Sequence, residues 1–253
     1  MKFNVPKIII IGTVLWITGI ALAGPPVDMW KPGEIWLAAE YGIVTRLLPS
    51  ENSLGTTGDP MPSRSNRAIL KAGYTIYPYL ELFGLLGLAD LKINSHDPTF
   101  DDFQSDMTIA WGGGIKTGYM FPEWKVGTSL TNTVLNYASN GEVSNQLRRV
   151  VNRYQWVEIQ TELAVSYQLT SLTPFLGVEK TWLTGSHHID DYFMGRRQPR
   201  PDNKESYSDP NQSFRPLAGL SLHAPGGYSV YLKASGLKSD ELAVVIGVCQ
   251  GSK

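Results

Sequence analysis

The chain has 253 residues, a formal net charge of −1 at neutral pH, 25 glycines and a mean hydropathy of −0.13. A charge so close to zero argues against a nucleic-acid partner, which requires a basic surface. The only cysteine in the sequence is Cys249, so an intrachain disulfide is excluded.

The first 23 residues have the three-part pattern of a secretory signal peptide. Lys2 and Lys7 form a basic start, Ile8–Ile20 is an apolar run, and Ala21–Ala23 is a small-x-small cleavage motif before Gly24. The alternative is an uncleaved membrane anchor, but the position of the cleavage motif favours a signal that is removed. We therefore expect an exported protein.

Cleavage at this site would leave residues 24–253, which we expect to form a single domain. Loss of two lysines and no acidic residue changes the net charge from −1 to −3. This mature part contains no uninterrupted apolar run long enough for a transmembrane helix. If it is embedded in a membrane it must cross as strands, and only a closed barrel then satisfies every backbone donor and acceptor in lipid.

Apolar residues recur at every second position along the mature chain, which is the period of a β-strand. In the stretch Trp156–Leu169, for example, Val157 and Ile159 share one face while Glu158 and Glu162 lie on the other. The pattern predicts ten strands: Ile35–Leu47, Arg67–Ile76, Leu80–Ile93, Met107–Phe121, Lys125–Tyr137, Trp156–Leu169, Phe175–Thr184, Phe214–His223, Tyr228–Gly236 and Leu242–Cys249.

The connections between these strands are unequal. Those at one end are turns of a few residues, and most of those at the other end are long and polar. Outer-membrane barrels combine short periplasmic turns with longer outer loops, and a tilted strand of about ten residues crosses the hydrocarbon. The sequence therefore predicts an all-β fold, a closed antiparallel up-and-down transmembrane β-barrel with ten strands.

A soluble β-sandwich is the structural alternative, and the charged residues within the strands argue against it. Unpaired charges in a dry core cost several kcal/mol each, whereas a hydrated lumen allows them to pair. Ten strands enclose little free width, so we expect a plugged or very narrow lumen. The predicted lumen charge network is Glu40, Arg46, Lys71, Lys116, Glu158, Glu162 and Lys233.

Three consecutive glycines, Gly112–Gly114, interrupt one predicted strand. Glycines weaken a strand but let a sheet bend sharply or let a large neighbour approach. A nucleotide-binding loop is the alternative, but no lysine-serine pair follows and no helix begins there. We expect no cofactor.

Three motifs carry a resemblance to a known family. The stretches "YLELFGLLGLADLKI", "IAWGGGIKTGY" and "LTPFLGVEKT" contain Leu80–Gly87, Trp111–Lys116 and Thr173–Gly177. Here the chain resembles the outer-membrane β-barrel domain family, which includes opacity-type surface proteins and small barrels similar to the membrane part of outer-membrane protein A. The resemblance implies a Gram-negative outer-membrane location, insertion by the barrel-assembly machinery and contact with lipopolysaccharide.

The chain departs from this family in two ways. Many members have eight strands, which is the main alternative to ten. Members usually end the last strand with an aromatic residue, which resembles an assembly signal, whereas this chain ends "VVIGVCQGSK".

The motif "GSHHIDD" is the strongest candidate for chemistry. Histidines and carboxylates that converge at the outer rim could activate water in a hydrolase or bind a divalent cation, although the spacing matches no metal motif. Ser186 and His187 are adjacent, so their side chains would point apart on a strand. The alternative is a set of solvated loop residues. The candidate hydrolase residues are His187, His188, Asp190 and Asp101, with His96, Asp97, Asp102 and Asp191 nearby.

The long polar insert Gly185–Ser213 contains charges of both signs. It is either a surface-recognition loop for a ligand or a solvated loop without a partner. We expect a non-enzymatic protein with a structural, surface-interaction or narrow porin-like role. The alternative is a rim-site hydrolase, either an outer-membrane protease or a lipid-modifying enzyme.

Overall fold

The computed structural model describes residues 31–51, 57–94, 102–144, 148–198, 205–208, 214–238 and 241–251. The predicted signal peptide, residues 1–23, lies outside this part of the chain. Within the described part, no helix is long and apolar enough to cross a membrane.

The described residues form fourteen antiparallel strands. They are β1 Ile35–Glu51, β2 Thr57–Tyr77, β3 Leu80–Ala89, β4 Lys92–Ile93, β5 Phe103–Gln104, β6 Thr108–Phe121, β7 Val126–Ser144, β8 Arg148–Tyr167, β9 Leu172–Phe193, β10 Arg196–Arg197, β11 Glu205–Ser208, β12 Arg215–Ala224, β13 Tyr228–Ser235 and β14 Ala243–Gly251.

Ten of these strands close into a ring in the order β1, β2, β3, β6, β7, β8, β9, β12, β13, β14 and back to β1. The remaining four, β4, β5, β10 and β11, are short and pair at the end of the barrel opposite the short turns, which we call the outer end. The prediction of a ten-stranded all-β barrel is confirmed. The alternatives of eight strands and of a two-layer sandwich are wrong.

The hydrogen-bond register fixes the stagger of the barrel. From Glu40, the paired residues lead through β2, β3, β6, β7 and β8 to Gly185 in β9. In the opposite direction, through β14, β13 and β12, they lead to Thr173. The two routes meet β9 twelve residues apart, since 185 minus 173 is 12, so the shear number is twelve. Such a stagger requires strands tilted by about 35–45°.

The observed strands match the predicted ones at the turn end of the barrel, and β1, β2, β7, β8 and β9 run past them at the other end. The predicted strand Leu80–Ile93 was too long, because β3 ends at Ala89 and the chain continues into the separate β4. β2 begins ten residues before the predicted start at Arg67, and β7 and β8 stay paired as far as Ser144 and Arg149. β9 continues to Phe193, so the first part of the predicted insert Gly185–Ser213 is strand and the description of all of it as a loop was wrong. The outward residues of these segments are mostly polar, for example Arg149, Arg153 and Gln155 in β8, so apolar alternation does not mark them.

The outer rim of the barrel is uneven. β12 starts where Arg215 pairs with Glu179, and β14 starts where Ala243 pairs with Val44, while β9 and β1 continue beyond both points. We call the projecting residues 138–144, 148–155, 185–198 and 205–208 the outer extension. The wall is therefore high at β7–β9 and low at β12–β14.

Successive side chains alternate between two environments. In β8, Val157, Ile159 and Leu163 point outward and are 37–52% exposed, whereas Glu158 and Glu162 point inward and are at most 7% exposed. We call the outward apolar surface the belt and the interior the bore. Aromatic side chains gather on the belt near the short turns: Tyr77, Tyr79, Tyr119, Phe121 and Trp124.

Several inward aromatic rings lie directly over a glycine of the neighbouring strand. A Cβ added at any of these glycines would overlap the ring, so the close contact depends on glycine. Of the roles predicted for Gly112–Gly114, the close approach of a large neighbour is seen at Gly114, which accommodates the ring of Phe83. The directly paired ring–glycine contacts are Trp36–Gly73, Phe83–Gly114, Trp156–Gly185, Phe175–Gly219 and Tyr231–Gly247.

Candidate functional site

The candidate site is the bore, where charged side chains of β1, β2, β3, β6, β8, β9 and β13 point inward. A cavity of about 110 Å³ lies among them, large enough for several water molecules. The charged residues that line it comprise four carboxylates and four cations. They are Glu40, Glu81, Glu158, Glu162, Arg67, Lys71, Lys116 and Lys233.

All seven residues of the predicted lumen network point into the bore. Six of them line the cavity, and Arg46 lies next to it through its contact with Glu158. They occupy alternate positions of their strands, as the period-two pattern requires.

Two arginines and one glutamate join opposite walls of the barrel. Arg46 Nη2 of β1 donates to Glu158 Oε2 of β8 at 2.9 Å. Arg67 of β2 donates through Nη2 and Nη1 to the two carboxylate oxygens of Glu158, at 2.7 and 3.0 Å. The Arg67 guanidinium also lies over the Tyr137 ring, 5.2 Å from its centroid. We call this group the clamp; its three charged residues are all buried.

A second set of contacts fills the bore below the clamp. Lys71 Nζ lies 2.5 Å from Glu40 Oε1, and the Tyr231 hydroxyl also donates to Glu40. Lys233 of β13 pairs with Glu162 of β8, which accepts a further hydrogen bond from Gln160 at 2.9 Å. The Lys71–Glu40 pair joins the neighbouring strands β2 and β1, whereas the Lys233–Glu162 pair connects β13 and β8, which are not neighbours in the ring.

Glu81 and Lys116 form an ion pair between directly paired residues of two neighbouring strands, and this pair does not cross the bore. They are direct cross-strand partners in β3 and β6, with Nζ and Oε2 3.4 Å apart, and both side chains are buried. Across the bore, Glu179 of β9 is also buried and accepts from Thr181 Oγ1 at 3.4 Å.

An aromatic layer covers the outer side of the clamp. The Tyr154 and Trp156 rings stack at 5.3 Å between centroids, and Phe103 meets Tyr154 edge-on at 5.2 Å. Leu91 and Ile93, at and beside β4, belong to the same buried cluster. Side chains therefore fill the bore above the cavity.

Small hydroxyl side chains surround the bore near the short turns. His223 lies among them, with its ring nitrogens 2.8 Å from Thr173 Oγ1 and 3.0 Å from Ser229 Oγ. Four further buried hydroxyl residues, one each from β2, β7, β8 and β12, are Thr75, Ser129, Ser166 and Ser221.

The predicted rim residues are only partly assembled. His188 Nε2 lies 3.5 Å from Asp190 Oδ1 in the outer extension, on the outward side of β9. Arg153 lies 3.3 Å from the other oxygen of Asp190, and Arg197 pairs with it as well. Asp101 and the side chain of His187 lie outside what the structure describes.

The contacts around Asp190 bear on the predicted chemistry. Its burial alone would raise its pKa, but the hydrogen bond and charge of Arg197, with His188 and Arg153, hold the pKa below its ordinary value of 3.8. A carboxylate already bound to two guanidinium groups is a poor general base. Within the described residues, no group of three or more His, Cys, Asp or Glu side chains could hold a metal ion.

Sequence reasoning missed several bore residues whose signal was present. Arg67 alternates in phase with Lys71, and Glu81 alternates with exposed Leu82, so both fall on the inward face by the same rule that selected Glu40. Tyr231 alternates in phase with Lys233, and its hydroxyl is part of the network.

Comparison with solved structures gives the fold. The translocator domain of autotransporter NalP from Neisseria meningitidis superposes with a TM-score of 0.50 at 12% sequence identity, over 97% of this chain and 95% of that one. The chain has the fold of an outer-membrane β-barrel.

Two further structures resemble the chain less. An outer-membrane channel from Pseudomonas putida F1 has a TM-score of 0.44 at 11% identity, over 93% of this chain and 99% of that one. The outer-membrane protease OmpT from Escherichia coli has a TM-score of 0.45 at 11% identity, over 87% and 94%.

No protein-family model and no curated protein matches the sequence. The narrower resemblance to opacity-type proteins and to outer-membrane protein A is therefore not confirmed, and it stays a prediction.

Proposed function

We propose that this chain is an outer-membrane protein of Gram-negative cells whose filled bore makes it a rigid scaffold for its outer extension, with a structural or surface-interaction role. The observation that carries the proposal is the clamp, in which Arg46 and Arg67 on one wall bind Glu158 on the opposite wall. Buried charges held in this way are strongly coupled, so the walls are cross-linked through the interior.

The filled interior argues against a general-diffusion pore. The cavity of about 110 Å³ has room for water but is covered on its outer side by the layer of Phe103, Tyr154 and Trp156. Small barrels commonly have interiors filled by side chains. A narrow porin-like role would require a path around these rings.

The outer extension supplies the surface for interaction. Residues on rigid scaffolds carry recognition, and here paired strands rather than a long loop project beyond the belt. The described start of the predicted partner surface, residues 185–193 of β9, pairs with β8 on one side and with β10 and β11 on the other. Contact with lipopolysaccharide and insertion by the barrel-assembly machinery would follow from the proposed location.

Single-channel recording in planar lipid bilayers tests the filled bore. We expect no resolvable current steps from the wild type, and new steps from the double variant Phe103→Ala/Trp156→Ala, because removal of both rings uncovers the cavity. The matched control is Val157→Ala, which truncates the outward neighbour of Trp156 and should leave the record unchanged. Stable steps from the wild type would contradict the scaffold and favour the narrow pore.

Membrane fractionation with a heat-modifiability gel tests the location. We expect the chain in the outer-membrane fraction, with a folded band that shifts in mobility on boiling. Recovery in the soluble periplasm would contradict the proposal.

The rim-site hydrolase stays a prediction. His188 and Asp190 are near each other, but both guanidinium contacts of Asp190 compete with a catalytic role for its carboxylate. An assay for peptide and phospholipid hydrolysis by the purified protein would detect such an activity.

A further inference from the structure

The belt contains a row of polar side chains on β7, β8 and β9. Asn132 pairs in register with Thr161, and Thr161 pairs with Lys180, so the three lie side by side across adjacent strands. All three point outward, in phase with exposed Leu163 and Leu176. We call them the polar row.

The polar row lies within the apolar part of the belt and not at its edge. On β8 the exposed outward residues run from Val157 to Tyr167, and Thr161 is near the middle of that run. On β13 and β14, at the opposite side of the barrel, the outward residues Val230, Leu232, Val244 and Ile246 are all apolar. The row is therefore a local feature of one side.

The hydrogen bonds of the row are incomplete within one barrel. Thr161 Oγ1 donates to Asn132 Oδ1 at 2.7 Å, and no described residue accepts from Asn132 Nδ2. Lys180 Nζ lies 5.1 Å from the ring centroids of both Trp182 and Phe214, and no described carboxylate pairs with it. Water is absent from the hydrocarbon, so polar groups that face lipid are costly and usually mark a contact with protein.

We propose that the polar row is the interface of a dimer with a second copy of this chain. An interface around a twofold axis must be complementary to itself. The side chains of Asn132 and Thr161 satisfy this condition because they offer N–H donors together with oxygen acceptors. The twofold axis then runs beside Asn132 and Thr161. Asn132 Nδ2 of each copy donates a hydrogen bond to an oxygen of the polar row in the other copy, so the polar groups of both copies are removed from contact with lipid.

The neighbouring surface permits close approach. Gly84 and Gly113 are direct partners in β3 and β6 and also point outward. A Cβ added at Gly84 would meet nothing nearer than 4.0 Å, so this part of the belt is shallow. Small residues allow membrane-embedded surfaces to pack closely. Lys180 of β9 and the two glycines of β3 and β6 lie on opposite sides of the proposed axis. The two lysines of a dimer are therefore kept apart, and each faces the glycine side of the other copy.

The test compares two apolar replacements on the same strand face. The interface variant is Asn132→Leu/Thr161→Val, and the matched control is Asn136→Leu, four residues further along β7 and on the same face. Asn136 already donates to the Trp111 carbonyl at 3.4 Å within one barrel. Dimerisation of the refolded proteins in lipid vesicles is measured by energy transfer between labelled copies across a dilution series.

We expect the wild type to dimerise, the interface variant to dimerise about tenfold more weakly or less, and the control to stay within about twofold of the wild type. The heat-modifiability shift is measured in parallel, and we expect the interface variant to fold, because its new side chains suit lipid. A wild type that is monomeric at the highest protein-to-lipid ratio would overturn the proposal. So would equal dimerisation of wild type and interface variant.

A cross-link gives an independent measurement. In a Cys249→Ser background, Asn132→Cys should form an intermolecular disulfide under mild oxidation, and Leu232→Cys on the opposite side should not. Cross-linking of Leu232→Cys alone would overturn the proposal. This result is independent of the proposed scaffold role, because conductance and dimerisation are measured separately.

Discussion

The bore and the belt are built from alternate residues of the same strands, and they treat polar groups in opposite ways. In β8, Glu158 faces inward between two arginines, and Glu162 faces inward beside Lys233. Between them, the hydroxyl of outward Thr161 has, among the described side chains, only the amide oxygen of Asn132 as a hydrogen-bond partner. The bore tolerates charges because the protein supplies their partners, whereas the belt tolerates few because lipid supplies none.

The largest expected effect comes from removal of one member of the clamp. Glu158→Leu leaves Arg46 and Arg67 buried without their carboxylate, and we expect a loss of about 3–5 kcal/mol in the free energy of unfolding. Urea titration of the protein folded in lipid vesicles measures it. The triple variant Arg46→Met/Arg67→Met/Glu158→Leu should lose less, since it leaves no unpaired charge. Equal losses would show that the ion pairs do not define the bore.

A charge placed on the belt should cost less, and the cost should depend on depth. Leu163→Arg puts a guanidinium near the middle of the exposed run of β8, where we expect a loss of about 2–4 kcal/mol. Val157→Arg, at the outer end of that run, should lose only about 0–1 kcal/mol. The same urea titration measures both. Equal losses in the free energy of unfolding for the two variants would mean that this face does not contact lipid.

Glycines separate the two environments further. Gly73→Ala adds a methyl group that overlaps the Trp36 ring in the bore, and we expect a loss of about 1–3 kcal/mol. Gly84→Ala adds the same group to open space on the belt, so stability should be unchanged or slightly higher. Unfolding midpoints of the two variants provide the comparison. A larger loss of stability in Gly84→Ala than in Gly73→Ala would contradict the ring–glycine packing.

The smallest effect is expected in the outer extension, which projects beyond the belt. Since contacts lower the pKa of Asp190 below 3.8, its pairing with Arg197 is present above that pH and is lost as pH falls through the folded-state value. Amide exchange of residues 190–198, corrected for intrinsic rates, should quicken at low pH while β8 residues in the belt stay protected. In Asp190→Asn, exchange should already be fast at neutral pH. Uniform protection at every pH would show that this contact does not hold the extension.

The sequence predicted the barrel and its ten strands because lipid outside and ions inside impose an alternation that is visible in the residues. The same alternation selected Glu40, Lys71 and Glu158 for the bore. It could not predict the length of β9 beyond Thr184, because the residues that follow are mostly polar on both faces and show no apolar alternation.

For a different reason, the sequence could not predict which charged residues form ion pairs across the bore. Whether Arg46 meets Glu158 or Glu162 depends on the stagger of twelve residues around the ring, and that stagger is a property of all ten pairings together. The sign and face of each charge could be predicted, but its partner could not.

The ring–glycine contacts also decide which residues align when the barrel assembles. A slip of two residues between neighbouring strands keeps every side chain on its proper face, so alternation alone cannot reject it. Such a slip would move Phe175 from Gly219 onto Leu217 or Ser221, where a Cβ occupies the place of the ring. Five strand boundaries have a contact of this kind. Misaligned closures are thereby excluded at several independent points during insertion, and the chain reaches one stagger out of several that its polarity would allow.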